Sequence, residues 1–207
     1  MTSQWGEHLD IEDVVGTMPH GYACDVGAVD GVFLNNTLQL EQRGWDVLCI
    51  EANPLYEKGL RLNRKNVLML ACGAENLDGQ DFHVFEVWPQ NYTALSALKP
   101  AAPNKRPRNH AKDEEMTVFK VNVRTLDWCL EQAGFPRLDV LCIDVEGGEG
   151  DVLDGFSIER WKPKVIVTED WEGGQHRPRL EAQAYEFTAQ KGENEIYVLP
   201  RKLWTPG

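Results

Sequence analysis

Three segments hold the side chains best suited to chemistry in this chain. The first, Asp25-Val26-Gly27-Ala28-Val29-Asp30-Gly31, mixes glycines with carboxylates. Glycine there lets the backbone turn tightly and approach a ligand with no Cβ in the way. The second is Glu51, twenty positions beyond Gly31 and followed by Ala52-Asn53-Pro54. A carboxylate so placed can accept hydrogen bonds from both hydroxyls of a ribose. The third is Asp144-Val145-Glu146-Gly147-Gly148-Glu149. Asp144 or Glu146 would serve as a base or position an attacking group, whereas Glu149 and Asp151 suit the N-terminus of a following helix through its dipole. Each feature alone has a plain alternative: Gly-x-x-x-Gly turns are common in loops, and Glu51 could be a helix N-terminal acid.

Their positions relative to the predicted elements bring these residues together. YACDVG (22–27), DVLCIE (46–51), NVLMLA (66–71), DVLCID (139–144) and KVIVTED (164–170) are short, mostly apolar and bounded by polar or turn residues. That is the pattern of strands buried on both faces. Helical segments lie between them. Asn35 or Asn36 is placed to cap one that Gly44 ends, and Pro54 suits the first turn of another running to about Asn66. Thr125 and Gly134 bracket a third, with Leu126, Cys129, Leu130 and Ala133 on one stripe. A further helix is expected from Pro178 to Gly192, with Leu180, Ala184 and Phe187 on one side. Strands separated by helices predict a mostly parallel α/β sheet. In such a sheet ligands bind beyond the carboxyl ends of the strands, so the three acidic segments read as one site.

Two further strands, DFHVFEV (81–87) and TVFKVNV (117–123), interrupt the alternation and enclose a polar stretch rich in Pro, Lys and Arg. Residues 89–115 are expected to form a lid or a disordered insertion in a single domain spanning 1–207. The bulk properties fit: 207 residues suit one domain, with 42% hydrophobic and 26% charged residues. No apolar run approaches the roughly 18–20 residues of a membrane span, and the acidic N-terminus lacks a signal-peptide pattern. Five cysteines without a C-x-x-C pair argue for reduced thiols in the cytoplasm over a disulfide framework or zinc site. A net charge of −12 disfavours a nucleic-acid partner, whose binding needs a basic surface.

The chemistry of the first turn narrows the ligand. A dinucleotide needs G-x-G-x-x-G to rest its pyrophosphate on a helix N-terminus. Here Asp25 takes the first glycine position and Asp30 adds a second carboxylate to the same turn. Acid there repels a pyrophosphate and suits the ammonium of a methionine moiety, which favours S-adenosylmethionine over NAD.

In order, DVGAVDG, NNTLQLEQRGW, CIEANPLYEKGLRLNRKN, CIDVEGGEGDVLDGF and KPKVIVTED resemble the FkbM-type methyltransferases. The resemblance covers residues 22–170, with a weaker tail at 194–200. It implies a Rossmann-like class I methyltransferase fold with helices on both faces of the sheet, and S-adenosylmethionine as methyl donor. It also implies O-methylation of a hydroxyl on a sugar-like or secondary-metabolite small molecule. By motif match, Asp25, Gly27, Asp30 and Gly31 would line the methionine side, Glu51 would take the ribose, Ala52 and Asn53 would flank the adenine, and Cys72 and Gly73 would edge it. By the same resemblance Val29 stands where the family commonly has Asn, and loss of that amide removes a hydrogen bond to the turn or to the ligand. Methylation of a protein or glycan, or cofactor binding without turnover, are the alternative functions.

Other features carry less. Asp144 and Glu146 with Glu169 and Asp170 have the oxygen chemistry of a hard-cation site, but strand-end carboxylates also gather without an ion, and no metal is expected. His110 and His176 are alternative bases. Lys99, Lys105, Arg106, Arg108 and Lys112 would steer an anionic substrate or simply form a solvated run.

Overall fold

The computed structural model describes residues 3–86, 98 and 115–204. Apart from Leu98 and Glu115, the expected insertion at 89–115 lies outside the described residues. The chain enters through α1 (Glu7–Val15), β1 (Tyr22–Val26), α2 (Leu38–Gln42) and β2 (Asp46–Glu51). A short 3-10 turn, Pro54–Tyr56, leads into α3 (Glu57–Asn63) and then β3 (Asn66–Met69). After β4 (Ala71–Cys72), β5 (Leu77–Glu86) and β6 (Glu115–Arg124) come α4 (Leu126–Gln132), β7 (Val140–Ile143), α5 (Glu149–Asp154) and α6 (Ile158–Trp161). The last elements are β8 (Val165–Glu169), α7 (Arg177–Ala182), β9 (Glu186–Lys191) and β10 (Asn194–Val198).

Seven strands form one sheet in the order β3-β2-β1-β7-β8-β10-β9, and β4-β6-β5 form a second. The five strands from β3 to β8 run parallel, and β10 pairs antiparallel with both β8 and β9. Alternation along the strands divides the core. Cys24, Val26, Leu48, Ile50, Leu141 and Ile143 pack on one face with Leu130 of α4, Val152 of α5, Trp161 of α6 and Leu180 of α7. Ala23, Val47, Cys49, Val140 and Val167 face the other way, onto Ile11 of α1, Leu40 of α2 and Leu60 of α3. Helices therefore cover both faces, which is why these strands are mostly apolar instead of alternating with polar residues.

Local signals explain most boundaries. Thr125 Oγ1 accepts the amide of Trp128 at 3.2 Å, the expected cap of α4. Asn35, not Asn36, wraps the start of α2: its Oδ1 accepts the amides of Thr37 and Leu38 at 2.9 and 2.8 Å. The helix expected to reach Asn66 stops at Asn63, because Asn66 already pairs with Leu48 in the sheet. The helix expected from Pro178 to Gly192 is corrected. It ends at Ala182, Ala184 adopts a φ of +66°, and Glu186–Lys191 is a strand paired with β10. Phe187 lies opposite Tyr197 there, and the sheet partner overrides a helical spacing that only three apolar residues supported. Among the described residues no helix is long and apolar enough to cross a membrane.

Candidate active site

Chain order reverses direction across the sheet between β1 and β7, where ligands of open α/β sheets bind. An open cleft lies at that point. Its walls include Gly27, Val29, Glu51, Ala52, Asn53, Tyr56, Leu70, Cys72, Phe82, Asp144 and Glu146. Three acidic segments far apart in the chain thus meet at one crevice.

Backbone contact holds the turn after β1 close to the loop after β7. Gly27 has a φ of +90°, and a Cβ on it would overlap the carbonyl oxygen of Asp144. Only glycine combines that conformation with that approach. The amides of Gly27 and Ala28 donate to the carbonyl of Ile50, and the amide of Asp144 donates to that of Val26. Glu51 closes the arrangement from β2. Its Oε2 accepts the amide of Val29 at 2.8 Å and its Oε1 accepts the amide of Asn53 at 2.7 Å. The carboxylate also lines the cleft, where it can accept a hydroxyl. Burial pushes the Glu51 carboxyl up to about 7, against the lowering effect of its backbone hydrogen bonds.

Across the cleft, the loop after β7 bends around a carboxylate. Glu149 Oε1 accepts the amides of Val145 and Gly147 at 3.0 and 3.1 Å. Glu146 sits at φ +61°, a left-handed conformation uncommon for a non-glycine residue and frequent at functional sites. Carboxylate oxygens of Asp144, Glu146 and Glu169, at the end of β8, lie within 4.8 Å of one another. Burial pushes Asp144 up to about 7, with the charges of Glu149 and Asp25 acting in the same direction. Glu146 rises for the same first reason, then through the charge of Asp144. Glu169 reaches about 11 through burial and the charges of Asp144 and Glu146, and its Oε2 is buried without a hydrogen-bond partner among the described residues. Oxygen ligands so gathered could hold a hard cation. Asp170 is not among them, because it accepts the amides of Glu172, Gly173 and Gln175 and shapes its own loop.

Seven of the eleven anticipated residues line the cleft: Gly27, Glu51, Ala52, Asn53, Cys72, Asp144 and Glu146. The other four do not. Asp25 lies on the same strand face as Ala23, and its Oδ2 accepts Asn35 Nδ2 at 2.6 Å and Thr37 Oγ1 at 2.8 Å beneath the turn. Asp30 turns back on its own loop, with Oδ1 accepting the amides of Val32 and Phe33. Gly31 packs against Arg64. Gly73 donates its amide to Arg124, and its carbonyl fills the space that a Cβ on Gly155 would need. Tyr56, Leu70 and Phe82 join the lining without having been anticipated. Phe82 was legible only as a strand residue, since the strand's membership of the second sheet is not a local property. Of the two alternative bases, His176 stands beside Gly150 on α5, and His110 lies outside the described residues.

The fold and the cleft define an α/β protein with a ligand site at the switch point of its sheet. Residues 25–187 match the model of the methyltransferase FkbM domain, and the chain belongs to that methyltransferase family. It is 27% identical over 209 residues to the methyltransferase sdnD of Sordaria araneosa, covering 87% of this chain and 80% of that one. It is also 29% identical over 163 residues to the 2-O-methyltransferase NoeI of Sinorhizobium fredii (strain NBRC 101917 / NGR234), covering 73% of this chain and 63% of NoeI.

Proposed function

We propose that this protein is a class I, Rossmann-like O-methyltransferase that uses S-adenosylmethionine to methylate a hydroxyl of a sugar-like or secondary-metabolite small molecule. The observation that carries the reading is the Glu51 carboxylate, fixed by two backbone amides in one cleft with the Gly27 turn and the Asp144 loop. The lining fits an adenosine-bearing cofactor. Glu51 offers the ribose two acceptor oxygens, and Ile50, Leu70, Phe82 and Tyr56 supply apolar and aromatic surface for a flat base. Strand order and the antiparallel β10 support the class I assignment, as does the family. The name of NoeI, a 2-O-methyltransferase, supports oxygen as the accepting atom. Five free, buried cysteines suit a cytoplasmic setting.

When bound, the cofactor would supply a methyl group on a sulfonium for in-line transfer to the acceptor oxygen. The chain's own work is to hold both reactants and take up a proton. Asp144, with its carboxyl near 7, is matched to accepting the hydroxyl proton as that oxygen attacks, with Glu146 beside it. A base so placed contributes about 10²–10⁴-fold.

The test begins with a titration of S-adenosylmethionine and of NAD, expecting binding of the first alone. A screen of sugars and polyhydroxylated metabolites for transferred methyl label then supplies an acceptor. At saturating cofactor, Asp144→Asn is expected to lower kcat about 10²-fold or more with little change in cofactor KM. Near-normal kcat in both Asp144→Asn and Glu146→Gln would remove these carboxylates from the chemical step and leave His176 as the next candidate.

A further inference from the structure

Below the turn after β1 lies a buried ionic network centred on Arg64. Arg64 follows the last residue of α3 and is fully buried, as is the carboxylate of its partner Glu41 to within a few per cent. Arg64 Nε donates to Glu41 Oε2 at 2.8 Å. Its Nη1 donates to the carbonyl of Gly31 at 3.1 Å and to Asn35 Oδ1 at 3.0 Å, and its Nη2 donates to Thr37 Oγ1 at 2.9 Å. Asn35 and Thr37 in turn donate to Asp25 at the end of β1. The neighbouring Asn63 donates from Nδ2 to the carbonyl of Asp30 at 2.8 Å. The stem of Arg64 occupies the space that a side chain on Gly31 would need.

The two ends of one segment therefore grip one turn. At the start of the Glu51–Arg64 segment, Glu51 holds the amide of Val29. At its end, Asn63 and Arg64 hold the carbonyls of Asp30 and Gly31. Packing alone does not require a charge here, since apolar residues of similar volume often replace a buried ion pair at no loss of stability. A planar guanidinium with a fixed fork of donors does what an apolar side chain cannot: it sets the positions of several acceptors at once.

We propose that Arg64, assisted by Asn63, is a positioning residue for cofactor binding, clamping the Gly27–Gly31 turn at a fixed distance from Glu51. The inference rests on the reading of the Glu51 cleft as the cofactor site. A turn held in its binding geometry before the ligand arrives spares the ordering cost on binding, so releasing the clamp lowers affinity.

Two variants test it, Arg64→Lys and Asn63→Ala, with two measurements on each. Hydrogen exchange on the ligand-free protein is expected to quicken at amides 28–33 while β7 and β8 exchange as in the parent. Calorimetric titration with S-adenosylhomocysteine, the demethylated cofactor, is expected to show about tenfold weaker binding for Arg64→Lys. For Asn63→Ala the expected loss is about two- to tenfold, one hydrogen bond's worth. A merely structural role would lower the melting temperature and leave the affinity of the folded protein unchanged. Parent-like exchange at the turn together with parent-like affinity in both variants would overturn the clamp. Should Arg64→Lys fail to fold, the surface variant Asn63→Ala decides alone. Failure of the parent protein to bind S-adenosylhomocysteine would overturn the cofactor reading, while the exchange data still decide whether the clamp exists.

Discussion

Glu51 is the residue on which most of the site turns, because one carboxylate ties the turn after β1 to the loop after β2 and still faces the cleft. Glu51→Ala is expected to weaken S-adenosylhomocysteine binding by about tenfold to a hundredfold, the worth of hydrogen bonds to a charged acceptor. Calorimetry showing unchanged affinity in the folded variant would end the ribose assignment. Val29, beside it, carries a different signature. Its φ of +52° is left-handed, a conformation that Asn tolerates and a β-branched side chain does not. An Asn at this position would meet the backbone requirement that Val29 meets under strain. Val29→Asn should therefore stabilise the protein by about 1 kcal/mol. An unmoved or lowered urea midpoint would show that the strain is relieved elsewhere.

Among the elements, the decisive contact is the one between the β1 turn and the β7 loop, where backbone meets backbone. A methyl group on Gly27 has no flexible neighbour to push aside, since the atom it meets is the Asp144 carbonyl. Gly147, at φ +99° in the β7 loop, has open space where its Cβ would go. Comparing the two separates collision from conformational strain. Gly147→Ala should cost about 1 kcal/mol from backbone strain alone, and Gly27→Ala clearly more, above about 2 kcal/mol. Equal denaturation midpoints for the two variants would mean that the turn can move away from β7 freely. In that case the cleft is less rigid than its hydrogen bonds suggest.

At the scale of the whole molecule, acid is gathered at the site in a chain that already bears a net charge of −12. Burial raises Glu51 and Asp144 to about 7 and Glu169 to about 11, above the 4.5 and 3.8 expected of free glutamate and aspartate. The folded state therefore binds more protons than the unfolded chain through this range. Stability from these groups is fully present below their unfolded values. It is lost as pH rises through 7 for Glu51 and Asp144, and onward to 11 for Glu169. The melting temperature should accordingly rise as pH falls from 8 to 6. General relief of negative charge acts in the same direction, so the specific contribution is read from Asp144→Asn, which should flatten the dependence. A parent melting temperature that falls on acidification across this window, or an equally steep variant, would contradict the placement of unpaired acids in the cleft.

Local pattern alone determined the class of the fold and the line of residues along its carboxyl edge. Strands buried on both faces must be mostly apolar, and the turns that follow them carry glycine and most of the polar groups. Gly27, Glu51, Asp144 and Glu146 could therefore be assigned to one crevice from order and spacing, as could the capping of α4 by Thr125. Tertiary structure decided everything that depends on a distant partner. Asp25 has the chemistry of a cleft residue but directs it to Asn35 and Thr37 beneath the turn. Arg64 looks like any helix-end cation until Glu41 buries it. Phe187 fits a helix stripe until β10 offers it a strand partner. The physical reason is common to all three: period and composition specify which face of an element is apolar, whereas the group that meets a polar or aromatic side chain is set by packing between segments remote in the chain.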